Sequence, residues 1–265
     1  MSRIAHAVSP VNKLQRPLFM ALFVVWGAVL AGAIGLEGQS GESAAFVARW
    51  LRMASSLTLV ATAFAAWISF LGTGAAKYSL LFAIGMTLGT IGDFYNAGLL
   101  DAVAPLGRGV LGGIAAFGLG HIAYISGCQV AARKTGCTAT VPRYGSLALW
   151  LAIGAIGWYV IAYLGATEKT SALVWPALAY TLLLASMAGL AMGLAIQDRR
   201  FTLLAVGGAF FFVSDLVLAI GMFRGNFKWQ SELVWLLYGP GQMMIVFSTL
   251  AIGRILADRI RGEPA

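Results

Sequence analysis

Eight apolar runs divide the chain, each about long enough to cross a bilayer. They cover residues 18–36, 53–71, 78–96, 110–132, 144–164, 172–196, 201–223 and 233–256. Charged residues or clusters of Gly, Pro and Ser bound each run. A hydrocarbon core takes roughly 20 residues of helix. The fold class predicted is all-α, a polytopic transmembrane bundle of eight helices over residues 18–256. A basic N-tail (1–17) and a basic C-tail (257–265) flank it. Short connections make sequential helices antiparallel neighbours. The first run also has Ala31-Gly32-Ala33, which looks like a signal-peptide cleavage site. Its length exceeds the usual apolar region of about 7–15 residues, so it is read as a retained helix.

Composition excludes the alternatives. The chain is 60% apolar and 11% charged, where soluble domains average about 45–50% and about 25%. That leaves too little polar surface to cover a water-soluble core, and disorder fails on the same grounds. A net charge of +8 would suit nucleic acid, but the basic residues lie between the apolar runs and in the tails. They read as topology signals and lipid-headgroup contacts, so membrane lipids are the expected partners and nucleic acid is not. Twelve of the 18 Lys and Arg fall on the side of the two tails. The positive-inside rule then places both termini in the cytoplasm, with a bacterial inner membrane as the expected location. On that side Cys128 and Cys137 are expected as free thiols.

Two charges do not belong at a helix end. Asp93 lies in the third run, within Leu88-Gly89-Thr90-Ile91-Gly92-Asp93, and Asp215 in the seventh, within Phe210-Phe211-Phe212-Val213-Ser214-Asp215. A carboxylate inside a span costs several kcal/mol unless it is paired, protonated or in a wet cavity. Neither has a Lys or Arg within a helical turn in sequence. Both lie about 21–22 Å from the start of their runs at 1.5 Å per residue, so they are expected at one level. Two carboxylates there would share one proton.

Polar neighbours gather at the same depth. Asn96 and Thr90 flank Asp93 on one helix face. The fourth run carries His121 and Tyr124, and the eighth carries Tyr238 and Gln242, each pair about one turn apart. Gly239-Pro240-Gly241 between the latter two is expected to kink or open that helix. Asp93 precedes His121 by 28 residues and Asp215 precedes Gln242 by 27. This echo suggests two four-helix halves in parallel orientation. Small-residue pairs (Gly85 and Gly89, Gly109 and Gly113, Gly189 and Gly193) mark expected helix contacts. Phe210, Phe211 and Phe212 with Trp158, Tyr159 and Tyr163 are candidates for an acyl pocket or, more simply, for packing.

The chain resembles the lysoplasmalogenase (YhhN) family of eight-helix membrane proteins. The resemblance rests on Gly92-Asp93 with Gly118-x2-His121-x2-Tyr124, and on Gly208-Ala209-x4-Ser214-Asp215-x3-Ala219 with Tyr238-x3-Gln242. It covers roughly residues 50 to 255. The family implies cleavage of the vinyl ether bond of lysoplasmalogens, a hydrolysis of an ether bond. The products are a fatty aldehyde and glycerophosphocholine or glycerophosphoethanolamine. By that resemblance Asp93 and Asp215 are the catalytic pair. A vinyl ether hydrolyses when a proton adds to its β-carbon, so a general acid and a nearby negative charge are both needed. One protonated and one ionised aspartate supply both, as paired carboxylates do for glycosides. Asn96, His121, Tyr124, Tyr238 and Gln242 are the candidate substrate-binding residues. Arg108, Arg224 or Lys228 are candidates to hold the lipid phosphate.

Other chemistries fit less well. A zinc hydrolase needs about three protein ligands, and the only histidines are His6 and His121, so neither metal nor cofactor is expected. No lysine lies within a run to carry retinal, and no Gly-x-Ser-x-Gly occurs. A proton-coupled transporter would also use paired intramembrane acids and a broken helix. It remains the rival class.

Overall fold

A computed structural model describes residues 15–37, 41–103 and 109–258. These form eight long helices: α1 (Gln15–Glu37), α2 (Glu42–Ser69), α3 (Ala76–Asn96), α4 (Gly109–Thr135), α5 (Thr140–Trp158), α6 (Val174–Gln197), α7 (Thr202–Arg224) and α8 (Gln230–Asp258). Seven are long and apolar enough to cross a membrane. The exception is α3, whose glycines, threonines and Asp93 dilute its apolar character. It is nonetheless well buried, with Tyr78, Phe82, Ala83 and Met86 fully covered. A bundle can bury such a helix because its apolar neighbours face the lipid. The tails, and with them His6, lie outside the described residues, as does Arg108.

The expected second span needs correction. The helix begins at Glu42, not Met53, and so carries Arg49 and Arg52 on its first turns. The apolar run stops at these arginines, but Ala, Leu, Met and the arginines themselves are good helix formers. Charge ends an apolar run without ending a helix. The fifth helix continues past Trp158 as one π turn, Tyr159–Tyr163. The expected opening of the eighth helix does not occur: α8 is continuous through Pro240.

α7 packs closely on α8, as α3 does on α4. A Cβ on Gly207 would stand 2.8 Å from the Gly241 carbonyl oxygen, and one on Gly120 would stand 3.0 Å from the Gly85 carbonyl oxygen. These are the same crossing made twice. Gly85 and Gly207 each lie eight residues before the aspartate of their half, and Gly120 and Gly241 directly precede His121 and Gln242. Of the glycines beside Pro240, Gly239 faces the Leu30 side chain on α1, whereas Gly241 serves close backbone approach to α7. Gly189 and Gly193 do the same between α6 and α5, where their Cβ positions lie 2.8 Å and 2.9 Å from the Cα atoms of Leu147 and Arg143.

The two halves repeat beyond these glycines. α1 packs on α2 as α5 packs on α6, and α2 on α3 as α6 on α7. Across the halves, α4 meets α6 and α8 meets α2. Four helices per half bring the chain back to its starting side, so the halves run parallel. The main core lies between α3, α4, α6, α7 and α8, with Phe70, Tyr124, Met187, Phe211 and Ile245 among its buried members. Cys128 and Cys137 are free and buried.

Candidate functional site

Both aspartates face one cavity of about 670 Å³ at the end of the bundle away from Gln15 and Asp258. The ends of four helices form its walls: the starts of α2 and α8 and the ends of α3 and α7. Asp93, one turn from the end of α3, is 4% exposed. Its Oδ2 accepts two hydrogen bonds, from Ser56 Oγ at 2.6 Å and from the Tyr238 hydroxyl at 3.0 Å. Two hydroxyl donors on one carboxyl oxygen offset much of what burial costs that group.

A chain of hydrogen bonds runs back from Asp93 into the core. Gln242 Nε2 donates to the Tyr238 hydroxyl at 3.2 Å, and the Tyr124 hydroxyl donates to Gln242 Oε1 at 3.1 Å. Gln242 is fully buried, so the bond it receives also fixes which way its amide points. Tyr238, Gln242 and Tyr124 therefore form one polar thread, of which only Tyr238 reaches the cavity.

Asp215 has a different surrounding. It is half-buried, it accepts from the Tyr180 hydroxyl, and Ser214 Oγ lies 3.3 Å from its Oδ1. Behind Tyr180 stands His121, with Nε2 3.4 Å from the hydroxyl and its ring 4.8 Å from that of Phe211. His121 is 1% exposed and does not line the cavity that holds the two acids. It approaches Asp215 only through Tyr180.

Phe117 packs against the tyrosine partners of both acids. Its ring centroid lies 6.1 Å from that of Tyr238 and 6.4 Å from that of Tyr180, and it faces the cavity between them. In the repeat, Phe117 stands where the second half has Tyr238, three residues before Gly120 as Tyr238 is three before Gly241. Each acid is held by one hydroxyl from the preceding helix of its own half, Ser56 on α2 or Tyr180 on α6. Asn96 is exposed at the rim and lines the cavity, and its side-chain oxygen packs against Gly113.

The structure thus gathers Asp93, Asp215, Asn96 and Tyr238 around one space, and sets His121, Tyr124 and Gln242 behind it. The sequence reading missed Ser56, Tyr180, Arg49 and Arg52. Serines in spans usually bond to their own helix, as Ser55 and Ser69 do, and Ser56 gave no sign of differing. Tyr180 was one aromatic among many. Of the phosphate candidates, Arg224 donates to the Val160 carbonyl of the π turn, and Lys228 lies over the ring of Trp229, which itself lines the cavity. Arg49 and Arg52 line that cavity.

With this geometry in place, the comparison with known families decides the assignment. The YhhN family profile matches residues 47–249, most of the chain and all of the site described above. The chain belongs to the YhhN family. It matches no curated protein and no solved structure. Family membership is compatible with a membrane hydrolase of the lysoplasmalogenase kind. Among the described residues, no group of three His, Cys, Asp or Glu comes together to hold a metal ion.

Proposed function

We propose that the chain is a vinyl ether hydrolase acting on a lysoplasmalogen through Asp93 and Asp215. The observation that carries this is the opening of two intramembrane carboxyl groups into one cavity, each held by hydroxyl donors and, among the described residues, with no Lys or Arg bonded to either. A neutralising cation would make the pair an inert structural bridge. Hydroxyl partners leave proton exchange open.

The chemistry follows in balanced steps. The protonated carboxyl gives its proton to the β-carbon of the vinyl ether, and the C=C electron pair forms the new C–H bond. The oxocarbenium ion left behind is stabilised by the ionised carboxylate. Water adds to the cationic carbon and passes a proton to a carboxylate, giving a hemiacetal. The C–O bond of the hemiacetal then breaks. The glycerol oxygen takes up a proton, and the hydroxyl left on carbon loses its own as the aldehyde forms. Net consumption is one water, and no oxidant or cofactor enters. Tyr238, Ser56 and Tyr180 hold the carboxyl oxygens in place throughout.

The test is aldehyde release by the purified protein in detergent or nanodiscs, run in D2O. The reading requires one deuterium at the carbon next to the aldehyde carbonyl, and no turnover of the saturated alkyl ether analogue. A folded protein that releases no aldehyde, but moves protons or a solute across a vesicle membrane, would replace the hydrolase with a transporter.

A further inference from the structure

A second, narrower cavity of about 80 Å³ meets the first at Asp215. It runs between α4, the end of α5 with its π turn, α6 and α7, and its walls are almost wholly apolar. Ile114, Trp158, Ala177, Leu184, Ala219 and Phe223 face it. Among the described residues, Asn96, Phe117, Asp215 and Leu218 belong to both cavities. Asp93 belongs to the polar one alone. The expected acyl pocket is thus only partly realised: Trp158 and Phe212 line this slot, whereas Tyr159 and Tyr163 stack on each other and are exposed. A π turn is a device for re-aiming a helix near a functional site. Here Arg224 satisfies the freed Val160 carbonyl, which holds the slot's outer wall.

The polar cavity has its own chemistry. Arg49 and Arg52 stand on α2 and Glu232 on the first turn of α8. Arg52 is held by Ser231 Oγ at 3.1 Å and lies over the Trp235 ring, 5.6 Å from its centroid. Trp229 and Trp235 line the same wall. Two guanidinium groups suit a phosphodiester, while a carboxylate beside aromatic faces suits an ammonium group. The charges match a zwitterion, and the apolar lining of the slot matches the chemistry of a hydrocarbon chain.

We infer that the two cavities divide one single-chain zwitterionic lysophospholipid between them. The chain lies in the slot, the phosphate lies toward Arg49 and Arg52, and the bond joining chain to glycerol crosses the junction beside Asp215. This rests on the proposed hydrolase reading for its substrate class, but it concerns binding and is tested by binding. The probe is a radiolabelled saturated ether lysophosphatidylcholine, which cannot be cleaved, bound to the protein in nanodiscs. Competitors are glycerophosphocholine, which lacks the chain, 1-O-hexadecylglycerol, which lacks the phosphate, and inorganic phosphate.

Ala219→Leu fills the slot, and Ala177→Leu fills it from the facing helix should the first variant not fold. Either is expected to weaken the labelled lipid about tenfold and leave glycerophosphocholine unchanged. Arg49→Gln is expected to weaken the labelled lipid and glycerophosphocholine by about five- to tenfold, leaving hexadecylglycerol unchanged. Inorganic phosphate should not compete. Folded variants that bind all probes as the parent does would overturn the division. So would inorganic phosphate displacing the lipid as well as glycerophosphocholine does, since the arginines would then be a simple anion site. Lipid binding with this pattern but no aldehyde release would leave the division standing and remove the hydrolase reading. Aldehyde release without the pattern would do the reverse.

Discussion

Removing one oxygen atom at Tyr238 should disable the site while leaving the fold. In Tyr238→Phe, Asp93 loses the bond it accepts at 3.0 Å, and Gln242 Nε2 loses the acceptor at 3.2 Å. A hydrogen bond to a charged group is worth about 1.5–3 kcal/mol, and a buried donor left without a partner costs about 1–3 kcal/mol. The first loss bears on the transition state if Asp93 must stay fixed beside a developing cation. At about 1.4 kcal/mol per factor of ten, kcat/KM should fall about tenfold to a hundredfold. The second loss bears on stability and should lower the unfolding temperature. Tyr124→Phe is the internal control. It strips a partner from Gln242 Oε1 but leaves both donors on Asp93, so it should cost stability with little change in kcat/KM. Aldehyde release under initial-rate conditions, with thermal unfolding in the same detergent, reads both effects. A folded Tyr238→Phe protein with unchanged kcat/KM would refute the claim that this hydroxyl holds a working carboxylate. Equal losses of activity in the two variants would refute the order of the thread.

Further expectations concern the fold, the proton and the second acid. Gly207→Leu drives a side chain into the Gly241 backbone and should destabilise by about 1–3 kcal/mol or more; Gly27→Ala, with no neighbour within 4 Å of its Cβ position, should be neutral in the same melt. If the two acids hold one proton between them, the hydrolysis rate must vary between about pH 5 and about pH 9. A rate flat over that range in both the parent and Asp93→Asn would contradict the shared proton. Tyr180→Phe should lower kcat/KM by about tenfold or more through Asp215, with a smaller effect from His121→Ala than from Tyr180→Phe. Among the described residues no three His, Cys, Asp or Glu side chains come together, so treatment with a chelator should leave turnover unchanged, and loss restored by a divalent metal would overturn that reading.

The parts of this site that were legible in sequence are those a membrane makes expensive. Asp93 and Asp215 stand out because an unpaired acid in a span demands an explanation, and the polar residues one turn apart on the fourth and eighth runs stand out similarly. What the sequence did not convey is direction. His121 and Gln242 occupy equivalent places in the two halves, yet one sits behind Tyr180 and the other carries the thread to Asp93. Helix rotation decides this, and an all-round apolar helix has little pattern to fix rotation. Ser56 and Tyr180 escaped because a hydroxyl in a span is cheap when it bonds its own helix, so its presence is no signal. Arg49 and Arg52 escaped because the run was ended at the charge. A proline flanked by glycines is expected to kink or open a helix, because it removes a backbone bond and its neighbours loosen the turn. In the bundle α8 stays helical through Pro240, and Gly241 makes the close contact with α7. The repeat was visible only as matched acid-to-polar spacings, and its meaning lies in two backbone crossings that no spacing displays.

The most direct test of the central claim compares Asp93→Asn, Asp215→Asn and the double variant with the parent in kcat/KM for a lysoplasmalogen. Two acids acting as one proton-holding unit predict that either single change removes nearly all turnover, about a thousandfold or more, and that the double change adds little. Each variant should remain folded, because asparagine keeps an acceptor for the surrounding hydroxyls. Single variants that retain most of the parent's turnover, or losses that multiply in the double variant, would contradict the account, since the aspartates would then not work as a pair.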